Sequence, residues 1–524
     1  MALTWLGVRV FFNRFMDSTT VFVSVLFVNV AALFLTDFFC SVDGPAHLYN
    51  ANVLLDLISG NSKLSAFYEI NTIPIPNWVS HFLLLTFRFV APAWLAEKML
   101  LIVYLGGLAI SFRLLIKELA PNNISFSFLV FPFSYSFLFY LGFYNYSLSF
   151  IFFFLSLWVY FKYSRSKIFQ FYVLLGLLIA LTYFSNVLLF VFLGFTLGCY
   201  SVYETFYEQG KTNSINWKHA ILKLGMLLLI SIPSLFCFYL FCSSVTFFAT
   251  GESLSFKELV KWIIDLRPLI IYSYEEDALY TRIMGYILML LMTVIVYKRY
   301  ISRTFGLKKT DVILLPLLLA ILLFFVVPDS SGAGMMSIRY AILSCMLFII
   351  WLSTQFVSVL TRALIMLTLF LSTVLLVNHV SVLHKLNKDA VEVYSASNYI
   401  QEGSVVLPVN LSEDWMQIHF SNYLGIDKPM VILENYEALV GWFPVKWNAN
   451  RPNFLLNGKE EIEGVQWITN RESNVKREID YVFIYGNLNH YQDVKWKGLT
   501  MVIHQNFKLV HESKNVFVFE RINL

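Results

Sequence analysis

Charged residues are scarce in this chain: Asp, Glu, Lys and Arg make up only 14% of its 524 residues. The net charge of +4 is too small to favour a nucleic-acid partner. The five cysteines have no spacing typical of a zinc or redox site. The chain also lacks a phosphate-binding glycine loop and a nucleophile elbow, which argues against an ATP-driven pump and against an α/β-hydrolase.

Apolar residues are abundant instead, with 58% hydrophobic and 18% aromatic. A soluble chain of this length does not need so much apolar surface. Eleven apolar runs come near the ~20 residues that a helix needs to cross a bilayer. The predicted spans are 19–35, 94–116, 124–141, 143–161, 168–184, 186–203, 219–241, 281–297, 311–327, 338–356 and 360–378. The first has no small-residue cleavage site after it, so we interpret it as an uncleaved span.

Lys and Arg should collect in loops on the cytoplasmic side of the membrane. With eleven spans, the positive loops alternate as this rule requires. The residues concerned are Arg9, Arg14, Arg113, Lys117, Lys162, Arg165, Lys167, Lys211, Lys218, Lys298, Lys309 and Arg362. The pattern predicts a cytoplasmic N-terminus, and it places 37–93, 242–280 and 380–524 outside the cytoplasmic membrane.

The first outer loop, 37–93, is predicted to be an ordered lid. The run 78–90 is apolar but too short to cross, so we expect a helix lying along the outer surface. A second helix, 46–58, has the pattern of an interfacial amphipathic helix. Its apolar stripe is Leu48, Leu55 and Ile58, and its polar residues are His47, Asn50 and Asp56.

From about residue 380 the chain becomes polar and contains short runs of β type. These runs are 404–407, 430–433, 481–484 and 516–519, and 507–511 with 516–520 has the pattern of a hairpin. The tail is long enough for one small α/β domain. The predicted fold is therefore an α-helical polytopic membrane domain, 1–379, followed by an extracytoplasmic α/β domain, 380–524.

Ionisable residues lie where the chain should leave the bilayer after the first span. Asp37, Asp43 and His47 occur there, and such groups near a membrane are costly and usually functional. If a helix begins at Gly44, then Asp43, His47 and Asn50 share one face, at i, i+4 and i+7. Two structural alternatives stay open. Asp43 could be a helix N-cap before Gly-Pro, and Asp37 could mark the membrane interface.

The layout and the stretch Asp43-Gly44-Pro45-Ala46-His47-Leu48 resemble the GT-C class of membrane glycosyltransferases, in a version found in poorly characterised bacterial members. Those enzymes take a sugar from a polyprenyl-phosphate carrier and pass it to an acceptor on the outer face. The resemblance implies that the acceptor is a lipid, glycan or protein of the cell envelope. It also implies that Asp43 is the catalytic base, with Asp37 as the alternative or as a second carboxylate.

The chemistry of such a transfer fits this choice of residues. Inversion needs a carboxylate to take the proton of the acceptor hydroxyl, while the phosphate leaves without a strong acid. His47 and Asn50 are predicted acceptor or phosphate contacts. For the phosphate we expect Arg339, Arg88 and Arg282, although an arginine at a helix end often only reaches to the headgroups.

The family's adjacent acidic pair is missing, because Asp37 and Asp43 are six residues apart. We therefore predict neither a metal nor a cofactor. Two other classes remain open from the sequence. One is a lipid-linked oligosaccharide transporter or polymerase, which should carry charges inside the bundle. The other is a non-catalytic membrane scaffold, which would tolerate the loss of Asp43.

Overall fold

A computed structural model describes residues 14–60, 64–163, 169–212, 217–244, 251, 253–301, 308–332, 334–355, 358–449, 479–492 and 497–522. Arg9, Arg165, Lys167 and part of the predicted loop 242–280 lie outside the described residues. The described chain is mainly helical and has a small C-terminal sheet.

The α-helices follow one another along the chain with short connections. They are α1 (Thr19–Ala32), α2 (Gly44–Ser59), α3 (Trp78–Arg88), α4 (Ala93–Leu119), α5 (Phe131–Ser134), α6 (Phe137–Tyr140), α7 (Tyr144–Tyr163), α8 (Phe169–Ser185), α9 (Val187–Thr212), α10 (Trp217–Ser244), α11 (Phe256–Ile264), α12 (Tyr274–Ile301), α13 (Leu314–Val326), α14 (Met336–Ser353), α15 (Val359–Ala396), α16 (Glu437–Val440) and α17 (Lys497–Asn506). The 3-10 helices are Leu33–Leu35, Pro121–Val130, Arg267–Leu269, Lys309–Ile313, Ser397–Tyr399, Trp415–Gln417, Phe420–Gly425 and Leu488–Gln492. The strands are β1 (Tyr68–Ile70), β2 (Val405–Leu411), β3 (Val431–Ile432), β4 (Val445–Trp447), β5 (Tyr481–Gly486), β6 (Phe507–Glu512) and β7 (Val516–Arg521).

The chain divides into two compact units that are discontinuous in sequence. The helical unit comprises Met1–Ala32, Ile102–Phe139 and Asn145–Val380. The loop–tail unit comprises Leu33–Leu101, Tyr140–Tyr144 and Ser381–Leu524. The predicted boundary at 379/380 falls beside the division at Val380/Ser381. The first predicted outer loop folds with the C-terminal tail.

Eight helices in the described part of the chain are long and apolar enough to cross a membrane. They coincide with eight of the eleven predicted spans. Two further predicted spans are shorter apolar helices, Thr19–Leu35 and Phe169–Ser185. The chain is thus a polytopic helical protein of the membrane type, and the apolar side chains exposed on helices such as α10 and α13 suit a lipid environment.

The prediction of one continuous span at 124–141 is wrong. That stretch forms the 3-10 helix Pro121–Val130 and then the short helices α5 and α6. Tyr135, between these two helices, has a non-helical backbone (φ −105°, ψ 58°). Hydropathy records only that the stretch is apolar, whereas a continuous helix also needs an unbroken run of helical backbone.

The tail forms the predicted strands and the predicted hairpin. The five-stranded sheet has the order β3-β2-β5-β7-β6. Strand β2 pairs parallel with β3 and with β5, and β7 pairs antiparallel with β5 and with β6. A second, two-stranded sheet pairs β1 with β4 antiparallel, with Glu69 opposite Lys446. Since β1 comes from the first loop and β4 from the tail, this pairing joins the two segments inside the loop–tail unit.

Helix α2 begins at Gly44, as predicted, and α3 forms within the predicted run 78–90. The predicted amphipathic character of 46–58 is wrong, because every residue from Gly44 to Leu54 is buried. His47 and Asn50 are therefore inside the unit and need polar partners there. The tail supplies those partners, and its distance along the sequence explains why helical periodicity alone misjudged this helix.

Candidate functional site

The start of α2 is held by a chain of hydrogen bonds from the preceding residues. The N–H of Gly44 donates to Ser41 Oγ (3.1 Å), which contacts the Tyr144 hydroxyl (2.7 Å). Tyr144 donates to Glu97 Oε1 (2.8 Å), so the Ser41 hydroxyl must donate to Tyr144. Ser41 therefore takes the capping role, and the Asp43 side chain makes no cap hydrogen bond. The structural alternative of an N-cap carboxylate does not apply.

Two glycines allow the backbone to pass closely here. Gly142 has φ +83°, and a Cβ on it would lie 2.8 Å from the backbone nitrogens of Asp43 and Gly44. The N–H of Asp43 donates to Leu141 O (3.0 Å), which fixes this approach. A Cβ on Gly44 would lie 2.3 Å from Ser41 Oγ. Only glycine fits either position without displacing its neighbours.

The first half of the site is a row of two carboxylates with one histidine between them. His419 Nδ1 contacts Glu434 Oε1, and His419 Nε2 lies 3.6 Å from Asp43 Oδ1. Glu434 also accepts hydrogen bonds from Ser421 Oγ (2.9 Å) and from Asn422 Nδ2 (2.5 Å). The Tyr436 ring stacks on the imidazole of His419, with centroids 4.5 Å apart. Glu434 therefore anchors one edge of the His419 ring and Asp43 faces the other.

The second half places two histidines on one carboxylate. His47 Nδ1 lies 2.5 Å from Glu437 Oε1, and His81 Nε2 lies 2.9 Å from Glu437 Oε2. Asn50 Nδ2 donates to Glu437 Oε2 (2.9 Å) and to Asn435 Oδ1 (3.0 Å). His47, His81 and Glu437 form a group that could hold a metal ion. All three are buried.

The electrostatics of the site follow from this pairing. Burial raises the pKa of Asp43 above its ordinary value, against the influence of His419 and His47. For His419, burial has the largest single effect and lowers the pKa, but Glu434, Asp43 and Glu437 together outweigh it, so the pKa is raised above its ordinary value. The pKa of His47 is raised in the same way by Glu437. Burial raises the pKa of Glu437, but His47 and His81 bring it down to about 2.

The structure brings together three of the residues predicted from the sequence: Asp43, His47 and Asn50. Asp37 lies apart from their contacts, since it is exposed and accepts a 3.4 Å hydrogen bond from Asn387. Arg88 is in the loop–tail unit, where its guanidinium forms an ion pair with Asp427 (2.8 Å).

The other two predicted arginines belong to the helical unit. Arg339 is buried, donates from Nε to Gly334 O (3.0 Å) and lies over the Tyr146 ring. Arg282 forms an ion pair with Asp265 (2.6 Å). Their predicted role at a phosphate stays a prediction.

Four residues of the site were missed as site residues in the sequence: His81, His419, Glu434 and Glu437. His81 is a polar residue within the apolar run 78–90, and 434–438 together with 441–447 is dense in aromatics. Neither signal reveals the partner, because the contacts span hundreds of residues of sequence. His419 carried no local signal. Comparisons with protein-family models and with curated proteins found no match for this chain.

Proposed function

We propose that this chain is a membrane glycosyltransferase of the GT-C type. It moves a sugar from a polyprenyl-phosphate carrier to a cell-envelope acceptor, with inversion at the anomeric carbon. The protein spans the cytoplasmic membrane about eleven times, with the interrupted stretch 124–141 counted as one crossing. Its N-terminus is cytoplasmic, and the unit that carries Asp43 faces the outside. Asp43 acts as the general base.

One observation carries this proposal: the Asp43 carboxylate is backed by a buried row of ionisable groups and is itself the most open member of that row. Its side chain is 15% exposed, compared with 10% for His419 and 5% for Glu434. The Asp43 carboxylate can therefore contact an acceptor hydroxyl. His419 and Glu434 are more buried than Asp43, and they balance its charge.

The transfer then runs in one displacement. The acceptor oxygen attacks the anomeric carbon while its proton passes to Asp43. The bond from that carbon to the carrier phosphate breaks, and the phosphate oxygen keeps the bonding electrons. When Asp43 is negative, the imidazolium of His419 stabilises it; when Asp43 takes the proton, Glu434 continues to balance His419. His419 and Glu434 are thus positioning residues for the base.

Other features support the same proposal. The first loop folds with the tail into a single unit, as a lid over an outer active site requires. His47 and Asn50 lie one and two turns after Asp43 on α2, within reach of groups next to it. Arg339, Arg282 and Arg88 remain the proposed contacts of the carrier phosphate. Arg88 and Arg282 already have carboxylate partners, Asp427 and Asp265.

Asp43→Asn tests the base directly. The amide has the same shape and cannot take the proton, so transfer should fall by a factor on the order of 100 or more. Stability should change little, because the side chain makes no cap hydrogen bond and because burial raises the pKa of Asp43, so the fold gains little from its ionised form. Cells that lack the protein would be complemented with wild type or variant, and envelope glycans would be compared by mass spectrometry. Membrane abundance and the thermal midpoint of the purified variant are measured alongside.

Asp56→Asn is the matched control, since Asp56 lies near the end of the same helix and accepts a hydrogen bond from the N–H of Leu64 (3.4 Å). This variant should leave the glycan product at the wild-type level. An Asp43→Asn protein that restores the wild-type product at normal abundance would exclude Asp43 as the base. If the envelope glycans are identical with and without the protein, the transferase assignment itself fails.

A further inference from the structure

The second half of the site, His47, His81 and Glu437, brings three side chains of metal-binding type together in a buried place. The ligand atoms of the three side chains lie within 4.8 Å of one another. His47 Nδ1 and Glu437 Oε1 are only 2.5 Å apart. In the ion-free protein the two side chains form an ion pair.

The far nitrogen of each imidazole faces a backbone carbonyl. His47 Nε2 contacts Gly142 O (2.9 Å), and His81 Nδ1 contacts Asn77 O (3.3 Å). A carbonyl oxygen only accepts, so His47 Nε2 must carry the hydrogen, and His81 Nδ1 carries it when it donates to Asn77 O. The Ser80 hydroxyl also lies 3.4 Å from His81 Nδ1. In a neutral imidazole, the other nitrogen then has a lone pair. An ion that binds here displaces any proton on His47 Nδ1 and His81 Nε2, and these two atoms then offer lone pairs beside the two oxygens of one buried carboxylate.

We propose that His47, His81 and Glu437 bind one divalent transition-metal ion of the zinc type. Two imidazoles and one carboxylate are a ligand set that such ions prefer, whereas Mg²⁺ and Ca²⁺ select oxygen ligands. Zinc ligands lie about 2.0–2.2 Å from the ion, so side-chain shifts of about 1 Å would bring the three atoms around one centre. This proposal departs from the sequence-based expectation of no metal.

The surroundings have the features of a metal site beyond the ligands. Each histidine donates its far N–H to a backbone carbonyl, and Asn50 donates to Glu437 Oε2. Such outer partners fix the ring orientation and the position of the carboxylate. Three protein ligands leave a fourth position for water or for an oxygen of a bound molecule. Because Asp43 lies one helical turn before His47, the ion would be next to the proposed base.

Metal binding is measured without any transfer assay, so it stands or falls separately from the proposed reaction. The full chain would be purified without a histidine tag, stripped with a chelator and titrated with Zn²⁺. We expect one Zn²⁺ per chain by elemental analysis, and a higher thermal midpoint with Zn²⁺ but not with Mg²⁺. Co²⁺ in the same site should give the visible absorption of a four- or five-coordinate ion.

Variants then identify the ligands. His81→Gln and Glu437→Gln should abolish stoichiometric binding, and Asn50→Ala should weaken it about 10- to 100-fold. His379→Gln is the matched control, because His379 is a buried histidine of the helical unit that faces a carboxylate, Asp277, at 3.1 Å. This variant should bind Zn²⁺ as the wild type does.

Two results would overturn the proposal. One is a wild-type protein that shows no saturable Zn²⁺ binding at micromolar concentration and no Co²⁺ spectrum. The other is stoichiometric binding that persists in folded His81→Gln and Glu437→Gln proteins. If the ligand variants do not fold, the titration and the Co²⁺ spectrum of the wild type still decide the question.

Discussion

The buried carboxylates of the two units have different side-chain partners. In the helical unit the partners are mostly lysine and arginine. Asp311 contacts Arg299 Nη2 (2.8 Å) and accepts a hydrogen bond from the Trp351 indole (3.1 Å). Glu204 has two lysine partners, each at 2.6 Å. These bases keep their charge at every physiological pH, so the pairs are fixed ion pairs that hold helices together.

In the site of the loop–tail unit the partners are histidine and amide groups. Glu434 and Glu437 contact three imidazoles between them. Asn422 donates to the second oxygen of Glu434, and Asn50 donates to the Glu437 oxygen that His81 contacts. An imidazole changes its charge near neutral pH and also binds metals. The comparison therefore separates ion pairs that serve stability from a cluster suited to moving protons or holding an ion. It also weakens the transporter alternative, since these acids of the helical unit are already neutralised by bases.

The largest expected effect is on stability and lies in the helical unit. Asp311→Asn removes one partner of a buried ion pair and leaves Arg299 without its counter-charge. Breaking such a pair costs about 3–5 kcal/mol of unfolding free energy. Thermal unfolding in detergent would measure the loss, and transfer per folded molecule should be unchanged. A normal midpoint in this variant would break the comparison, because the pair would then not be structural.

The sequence predicted the elements of this fold better than the site. Eight spans and the tail strands follow from local patterns, namely apolar runs near ~20 residues and short β-type runs. The stretch 124–141 failed because its apolar run is not matched by continuous helical backbone. In the site, Asp43, His47 and Asn50 were found because they lie on one face of one helix. His419 and Glu437 reach that face from the other end of the chain, and no local pattern encodes such a contact.

Gly142→Ala tests whether the site depends on the close approach of two backbone segments as well as on charge. An added Cβ would collide with the nitrogens of Asp43 and Gly44, and φ +83° is strained for alanine. We expect a loss of about 1–3 kcal/mol in unfolding free energy, and weaker transfer because the acceptor of His47 Nε2 moves. Gly106→Ala in α4 is the control. A Cβ there has open space, and alanine favours helix by up to ~1 kcal/mol. Equal stability of both variants would contradict the close approach.

The smallest expected effect is a pH dependence that only the histidine-paired carboxylates should show. Three carboxylates, Glu434, Asp43 and Glu437, raise the pKa of His419 above 6.5 against the effect of burial, and the Tyr436 ring covers one face of the imidazole. A group with a raised pKa stabilises the fold fully below its unfolded pKa, and this contribution is lost as the pH rises through the folded pKa.

The test compares wild type with His419→Gln from pH 6.5 upward. The difference in unfolding free energy should shrink as the pH rises, since the wild type gradually loses the imidazolium. Glu434→Gln should flatten this dependence, because it removes the carboxylate that raises the pKa of His419 most. The cost of Asp311→Asn should stay constant over the same range, because the guanidinium of Arg299 keeps its charge. A His419→Gln difference that stays constant or grows with pH would show that His419 is neutral in the folded protein. His419 would then not be a partner whose charge depends on pH, and in this respect the site would not differ from the ion pairs of the helical unit in the way proposed.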